Sequence, residues 1–97
     1  MIVTAIYRYC REERDAIAAC ALDDITLLYH RPSGQTHMVI SPVPEILEAL
    51  DEAAPSTAVE VHDRLAHRYE LGEADDVIAL IDAHLAELTA LGLARRL

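Results

Sequence analysis

Phenylalanine and tryptophan are missing from this 97-residue chain, and aromatic residues make up only 4% of it. Apolar residues nevertheless account for 53%, and a fold of this length buries about two-thirds of the surface that its unfolded chain exposes. The chain therefore has room for one core, which must be assembled from Leu, Ile, Val, Ala and Met. Such a core leaves little space for a large cavity, so we expect no cofactor.

Lysine is also missing, so the 8 basic residues are all arginine, and 17 acidic residues bring the net charge to -9. A polyanion such as DNA would be repelled unless the arginines were gathered on one face. They are instead scattered along the chain, mostly beside carboxylates, which is typical of solvated surface charge. We therefore expect no nucleic-acid partner.

Cysteine is scarce, because Cys10 and Cys20 are the only two. They form no CxxC pair and have no histidine nearby at metal-ligand spacing, so we interpret them as two buried free thiols. No signal-peptide pattern opens the chain, and its apolar runs are far shorter than the ~20 residues of a membrane span. The sequence predicts a cytoplasmic protein without membrane contact.

Residue groupings typical of catalytic sites are missing as well. Three glycines do not form a phosphate-binding loop, and the serines have no recognisable base nearby in the sequence. The acidic pairs at 12–13, 23–24 and 75–76 are adjacent in the chain, and a turn or a helix start accounts for them. We therefore expect a protein that is not an enzyme.

Alternating apolar residues, which are typical of strands, occupy residues 16–22, 25–30 and 36–40. A short turn joins each run to the next, and Gly34 in the second turn can adopt the positive φ of a tight hairpin. These features predict an antiparallel meander in which residues 36–40 form an edge strand.

A turn centred on Ser33-Gly34 would pair His30 with His37 and Tyr29 with Met38. This register predicts which side chains form the core face of the sheet, namely Ile25, Leu27, Tyr29, Met38 and Ile40. The two histidines would then form a cross-strand pair on the opposite face. Two imidazoles without a third ligand are weak evidence for zinc, so we expect no metal site.

Helical periodicity begins near residue 41 and continues almost to the end of the chain. Ser41-Pro42 is predicted as the N-cap and first position of one helix, and Thr57 to Glu60 as the capping box of a second. Asp75-Asp76 suits the start of a third helix. That helix is predicted to end at Gly92 in a Schellman motif.

Together these signals predict one α+β domain over residues 1–97, a three-stranded antiparallel meander followed by three helices, winged-helix-like. Residues 1–13 are predicted to form either an N-terminal arm or an extra strand, and the sequence does not choose between the two.

The hairpin from Leu28 to Pro42, with its Ser33-Gly34-Gln35-Thr36-His37 turn, resembles the PqqD family. It is most similar to the PqqD-type peptide chaperones of the HPr-rel-A systems, although Ser41-Pro42 replaces the acidic residue that usually starts the following helix. The segment from Leu85 to Leu93 also looks like the last helix of that family. The resemblance covers roughly residues 14 to 97.

This resemblance implies a RiPP recognition element, a non-catalytic chaperone of ribosomally made precursor peptides. Such a domain binds the leader of the precursor by strand addition, between its third strand and its third helix. It presents the peptide to a modifying enzyme, which the resemblance implies is a radical S-adenosylmethionine protein or a kinase-related protein of the same system.

The residues themselves also favour a peptide groove, because the predicted edge strand 36–40 contains no Lys, Glu or Pro that would protect it from pairing. Apolar side chains of the third helix would line the groove, although the same stripe must hold that helix to the core, so only one or two are expected to reach a ligand. The predicted peptide-binding residues are Thr36, His37, Met38, Val39, Ile40, Val77, Ile78, Ile81 and Leu85.

Two alternatives follow from the same features. An unprotected edge strand also permits a homodimer in which two copies pair with each other. A winged-helix DNA-binding regulator would instead place Arg64 and Arg68 together on an exposed helix face, with binding that weakens steeply with salt.

Overall fold

The computed structural model describes residues 7–97, which form two small antiparallel sheets and three helices. A single 3-10 turn, Arg14–Ala16, precedes the larger sheet. The elements in chain order are β1 Tyr9–Arg11, β2 Ile17–Leu22, β3 Ile25–His30, β4 Gln35–Ile40, α1 Val43–Ala49, α2 Ala58–Ala66, α3 Ala74–Ala90 and β5 Ala94–Arg96.

The larger sheet has the order β2-β3-β4, with β3 in the centre. Its strands begin and end within one residue of the predicted runs, because turn residues bound each run of β-branched and aliphatic residues. The predicted α+β fold, a three-stranded antiparallel meander followed by three helices, is confirmed.

The register within the β3–β4 hairpin differs from the prediction. His30 pairs with Gln35 and Leu28 with His37, so Arg31–Gly34 form the loop and the predicted His30–His37 pair does not exist. The N–H of Gly34, at φ +71°, donates to the carbonyl of His30 over 2.8 Å. The turn is therefore centred on Pro32-Ser33, one residue earlier than predicted, and the pairing partner of His30 lies two residues earlier than His37.

The predicted core face is also wrong. Leu28 and His30 are 3% and 9% exposed and point toward the helices, whereas Tyr29 and Met38 are 41% and 68% exposed. The observed β3–β4 register differs from the predicted one by two residues, and a two-residue shift keeps every side chain on the same face of the sheet. The prediction of which side chains share a face is therefore correct. Both faces are largely apolar, and alternation alone therefore could not decide which of them the helices cover.

A second, two-stranded sheet joins the ends of the described chain, because β1 pairs antiparallel with β5. Part of the segment 1–13, predicted to be either an arm or an extra strand, is therefore a strand, while residues 1–6 lie outside the described residues. Tyr9 also exchanges two backbone hydrogen bonds of 2.8 Å with Ser56. The side chain of Tyr9 is buried, and this burial raises the pKa of its phenol, with the charge of Asp82 adding to the effect.

The helix boundaries follow local signals. The capping box of α2 is present, since Thr57 Oγ1 accepts from the N–H of Glu60 over 3.2 Å and Glu60 Oε1 accepts from the N–H of Thr57 over 3.1 Å. At the end of α3, the N–H of Leu93 donates to the carbonyl of Leu88 over 2.9 Å in the predicted Schellman motif.

The start of α1 differs from the prediction. Pro42 occupies the N-cap position, and no side chain caps the helix. The hydroxyl of Ser41 instead donates to the carboxylate of Glu45. The predicted N-cap at Ser41 is therefore wrong by one residue.

The core lies between β3 and the three helices, where Ile46, Val61, Leu85 and Leu93 are fully buried. The prediction for the thiols is half wrong, because Cys10 is buried but Cys20 is exposed. No helix within residues 7–97 is both long enough and apolar enough to cross a bilayer.

Candidate functional site

The outer edge of β4 is the first part of the site. β4 pairs with β3 on one side only, and no strand of the described chain pairs with its other side. Alternate residues of such an edge direct their N–H and C=O groups outward. The strand carries neither a formal charge nor a proline, so nothing in its sequence blocks pairing with an incoming chain.

A groove of about 170 Å³ lies beside this edge, between β4 and the C-terminal half of α3. Its walls come from both elements and from the first residue of α1, namely Met38, Val39, Val43, His84, Glu87, Leu88 and Leu91. Small-molecule and cofactor sites usually occupy about 300–1,000 Å³. The groove is therefore too small for a typical cofactor, but its size suits apolar side chains.

The groove has an apolar floor and a polar rim. Leu88 is buried, while Val39 and Val43 are half-buried and pack against the core. His84 and Glu87 from α3 supply the polar groups. An extended chain beside β4 could therefore form backbone hydrogen bonds with the strand and place apolar side chains against Leu88.

The predicted strand residues fall in several environments. Met38 and Val39 line the groove, whereas Ile40 lines a separate acidic cavity near the β2–β3 turn. Thr36 is exposed and pairs with Tyr29. His37 faces the core, where its Nε2 atom is enclosed without a hydrogen-bond partner among the described residues.

The predicted helix residues lie elsewhere on α3. Ile81 and Leu85 are 2% and 0% exposed and belong to the core, Val77 packs against that core, and Ile78 is half-buried. None of these four is among the groove-lining residues. The helix contributes its last two turns instead, although Leu88 and Leu91 belong to the same apolar stripe that the sequence shows.

A larger cavity of about 550 Å³ opens between α1 and α2, lined by Glu48, Ala49, Asp63, Arg64, Leu65, His67 and Arg68. Its acidic and basic side chains are mixed. The guanidinium of Arg64 donates to the carbonyl of Ala49 and to the hydroxyl of Ser56, both over 2.7 Å. Arg64 is therefore engaged in holding α2 to the preceding segment, unlike the exposed phosphate contact that a DNA-binding helix requires. The groove beside β4 is thus the stronger candidate site.

A solved structure with the same fold is TbiB1 in complex with the TbiA(beta) leader peptide. The two chains share the fold. They are 20% identical with a TM-score of 0.67, and the alignment covers 89% of this chain and 94% of TbiB1. No protein-family model and no curated protein matches the sequence. Membership of the PqqD family therefore stays a prediction.

Proposed function

We propose that this chain is a non-catalytic peptide-binding protein of the RiPP recognition element type, which takes the leader of a precursor peptide as an added strand along β4. The observation that carries the proposal is the outer edge of β4, which no strand within residues 7–97 covers, beside an apolar groove. The fold that this chain shares with TbiB1, a protein solved with a leader peptide bound, supports the same function.

The energetics of strand addition explain why the groove is needed. Four or five added backbone hydrogen bonds at roughly 1 kcal/mol net each provide about 4–5 kcal/mol, which corresponds to millimolar binding. Micromolar binding needs about 8 kcal/mol. At about 25 cal/mol per Å², the remaining 3–4 kcal/mol requires about 120–160 Å² of buried apolar surface. One or two aliphatic side chains packed against Val39, Val43 and Leu88 would supply it.

In this proposal residues 36–40 supply backbone groups, while Met38, Val39, Leu88 and Leu91 contact the side chains of the peptide. Of the helix residues predicted from sequence, Ile78 is the one that is half-buried and outside the core cluster, so it stays a proposed peptide contact. Ile81 and Leu85 instead pack α3 against the core. We further propose that the whole chain is one such domain acting in the cytoplasm, with a radical S-adenosylmethionine or kinase-related enzyme as its partner.

The test is an NMR titration of the isotope-labelled protein with synthetic leader peptides encoded beside its gene. Saturable shifts of the backbone amides of residues 36–40, together with those of residues 84–91, are the expected result. A peptide of scrambled sequence serves as the control. Shifts confined to the α1–α2 cavity, or no shifts with any of these peptides, would contradict the proposal.

A further inference from the structure

The face of the β2–β3–β4 sheet that points away from the helices is almost entirely apolar. The strand register makes its side chains cross-strand neighbours. We call these nine residues the outer face: Ala18, Cys20, Leu22, Ile25, Leu27, Tyr29, Thr36, Met38 and Ile40. Thr36 is the one polar member.

Much of the outer face is open to solvent. Leu22 is 53% exposed, Met38 68% and Ile40 61%, and Tyr29 on the central strand is 41% exposed. An antiparallel sheet with one face in water normally carries polar side chains on that face. Contiguous exposed apolar patches of a few hundred Å² or more are typical of interaction surfaces.

The two ends of the central strand carry opposite charges. The β2–β3 turn holds Asp23 and Asp24, and the β3–β4 loop begins with Arg31 at the other end of β3. All three residues are exposed. β3 has six residues, so at a rise of about 3.4 Å per residue the two charged ends lie roughly 20 Å apart.

This arrangement is complementary to itself. When a second copy is stacked face to face with its strands running the opposite way, the acidic turn of each copy lies over Arg31 of the other. The twofold axis then runs across the strands, and the same patch is used on both subunits, as in isologous dimers. Aligned sheets pack in this manner about 10 Å apart.

We propose that the outer face is a homodimer interface in which two copies stack their sheets with antiparallel strands. Three strands about 4.8 Å apart make a face of roughly 14 by 20 Å, or about 280 Å². This area is smaller than the approximately 800 Å² that each partner buries in a standard complex. The net charge of -9 on each copy also opposes association. The dimer is therefore weak and reversible. It leaves the backbone edge of β4 accessible but covers Met38, which also lines the candidate groove. The tests use the protein without a peptide, so they do not depend on the proposed peptide function.

Sedimentation equilibrium from micromolar to near-millimolar protein tests this proposal. The wild type is expected to pass from monomer to dimer across that range. Tyr29→Glu should weaken the dimer about tenfold or more, because a desolvated interface tolerates a buried charge poorly. Tyr69→Glu is the matched control, since Tyr69 is 46% exposed and lies outside the sheet. A wild type that stays monomeric throughout, or equal behaviour of the two variants, overturns the proposal.

Charge reversal gives a second, independent test. Arg31→Asp, and the paired change Asp23→Arg with Asp24→Arg, each place like charges opposite one another in the stacked dimer, so each should weaken it. Combining the three substitutions restores opposite charges and should return the dissociation constant to near the wild-type value. If net charge alone governed association, the paired change would strengthen the dimer, since it lowers the net negative charge. That result, or a triple variant no better than the other two, contradicts the proposed stacking. Circular dichroism of every variant confirms folding.

Discussion

The imidazole ring of His30 lies so close to Gly92 that a β-carbon at residue 92 would be 3.3 Å from its Cε1 atom. His30 is buried, and its Nδ1 atom shares a 2.7 Å hydrogen bond with the hydroxyl of Ser33. One side chain therefore connects the β3–β4 loop to the exit of α3. The loop leads into β4 and the exit follows α3, the two elements that supply most of the walls of the candidate groove.

Gly92→Ala should consequently destabilise the protein more than Gly34→Ala. Both glycines have positive φ, +79° and +71°, so alanine costs about 1–2 kcal/mol at either position. Only Gly92 adds a tight 3.3 Å contact with the buried ring of His30, since no atom lies within 4 Å of a β-carbon at Gly34. Overpacking of this kind costs about 1–3 kcal/mol more. Urea denaturation measures both variants, and equal losses would show that His30 moves aside freely.

Arg64→Ala should lower the free energy of unfolding by about 1–3 kcal/mol, because it leaves the buried hydroxyl of Ser56 and the carbonyl of Ala49 without their charged donor. Arg68→Ala is the matched control, because Arg68 is exposed and lines the same cavity between α1 and α2. Its free energy of unfolding should stay within about 0.5 kcal/mol of the wild-type value. Thermal and urea unfolding compare the two. A similar stability of both variants would mean that the Arg64 hydrogen bonds contribute nothing in solution.

Leu91→Ala should weaken leader-peptide binding several-fold, since it removes part of the apolar wall of the groove and partial burial of a leucine contributes about 1 kcal/mol. Leu80→Ala serves as the control, because Leu80 is also exposed on α3 but is not a groove-lining residue. Isothermal titration calorimetry with the same peptide gives both dissociation constants. Equal affinities for the two variants would place the peptide elsewhere.

Strand addition along β4 also predicts a dependence on the peptide backbone. Only alternate residues of an added strand direct their N–H groups toward β4. N-methylation of the alternate residues whose N–H groups face β4 should therefore abolish binding. N-methylation of the intervening residues, whose N–H groups face away from β4, should leave most of the binding intact. The two peptide series have the same composition and control for each other. Equal effects of both phases would rule out pairing with the strand edge.

The capping box of α2 should make a small contribution to stability that depends on pH. Hydrogen bonding to Thr57, assisted by the charge of Arg8, lowers the pKa of Glu60 below its usual value. Because the folded-state pKa is the lower one, the contribution is fully present above the unfolded-state pKa and is lost as the pH falls through the folded-state pKa. Glu60→Gln keeps an acceptor for the N–H of Thr57 but does not titrate. The stability difference between wild type and Glu60→Gln should therefore change as the pH is lowered, and a constant difference would contradict this assignment.

Local signals predicted the three strands of the larger sheet, the three helices and most of their ends, but not β5. The capping box at Thr57 and the Schellman motif at Gly92 involve residues within a few positions of one another, and the structure contains both. The start of α1 was misplaced because Ser41 bonds to the side chain of Glu45 instead of the helix backbone. The position of β4 at the edge of the larger sheet follows from strand order in a meander, and it too could be predicted from the sequence.

The side chains of the candidate groove could not be predicted in full. The apolar stripe of α3 is visible in the sequence, but the turns that lie beside β4 depend on how the helix crosses the sheet. That crossing buries Ile81 and Leu85 in the core and brings Leu88 and Leu91 to the strand edge. No spacing within α3 contains this information.

By itself, the sequence determined the order of β2, β3, β4 and the three helices, the capping box of α2 and the Schellman motif of α3, and which side chains share each face of the larger sheet. Only the tertiary structure decided which face the helices cover, and therefore that the apolar outer face is left in water. The physical reason is that capping and alternation act between near neighbours in the chain. The choice between two apolar faces depends on packing with helices that lie far away in sequence.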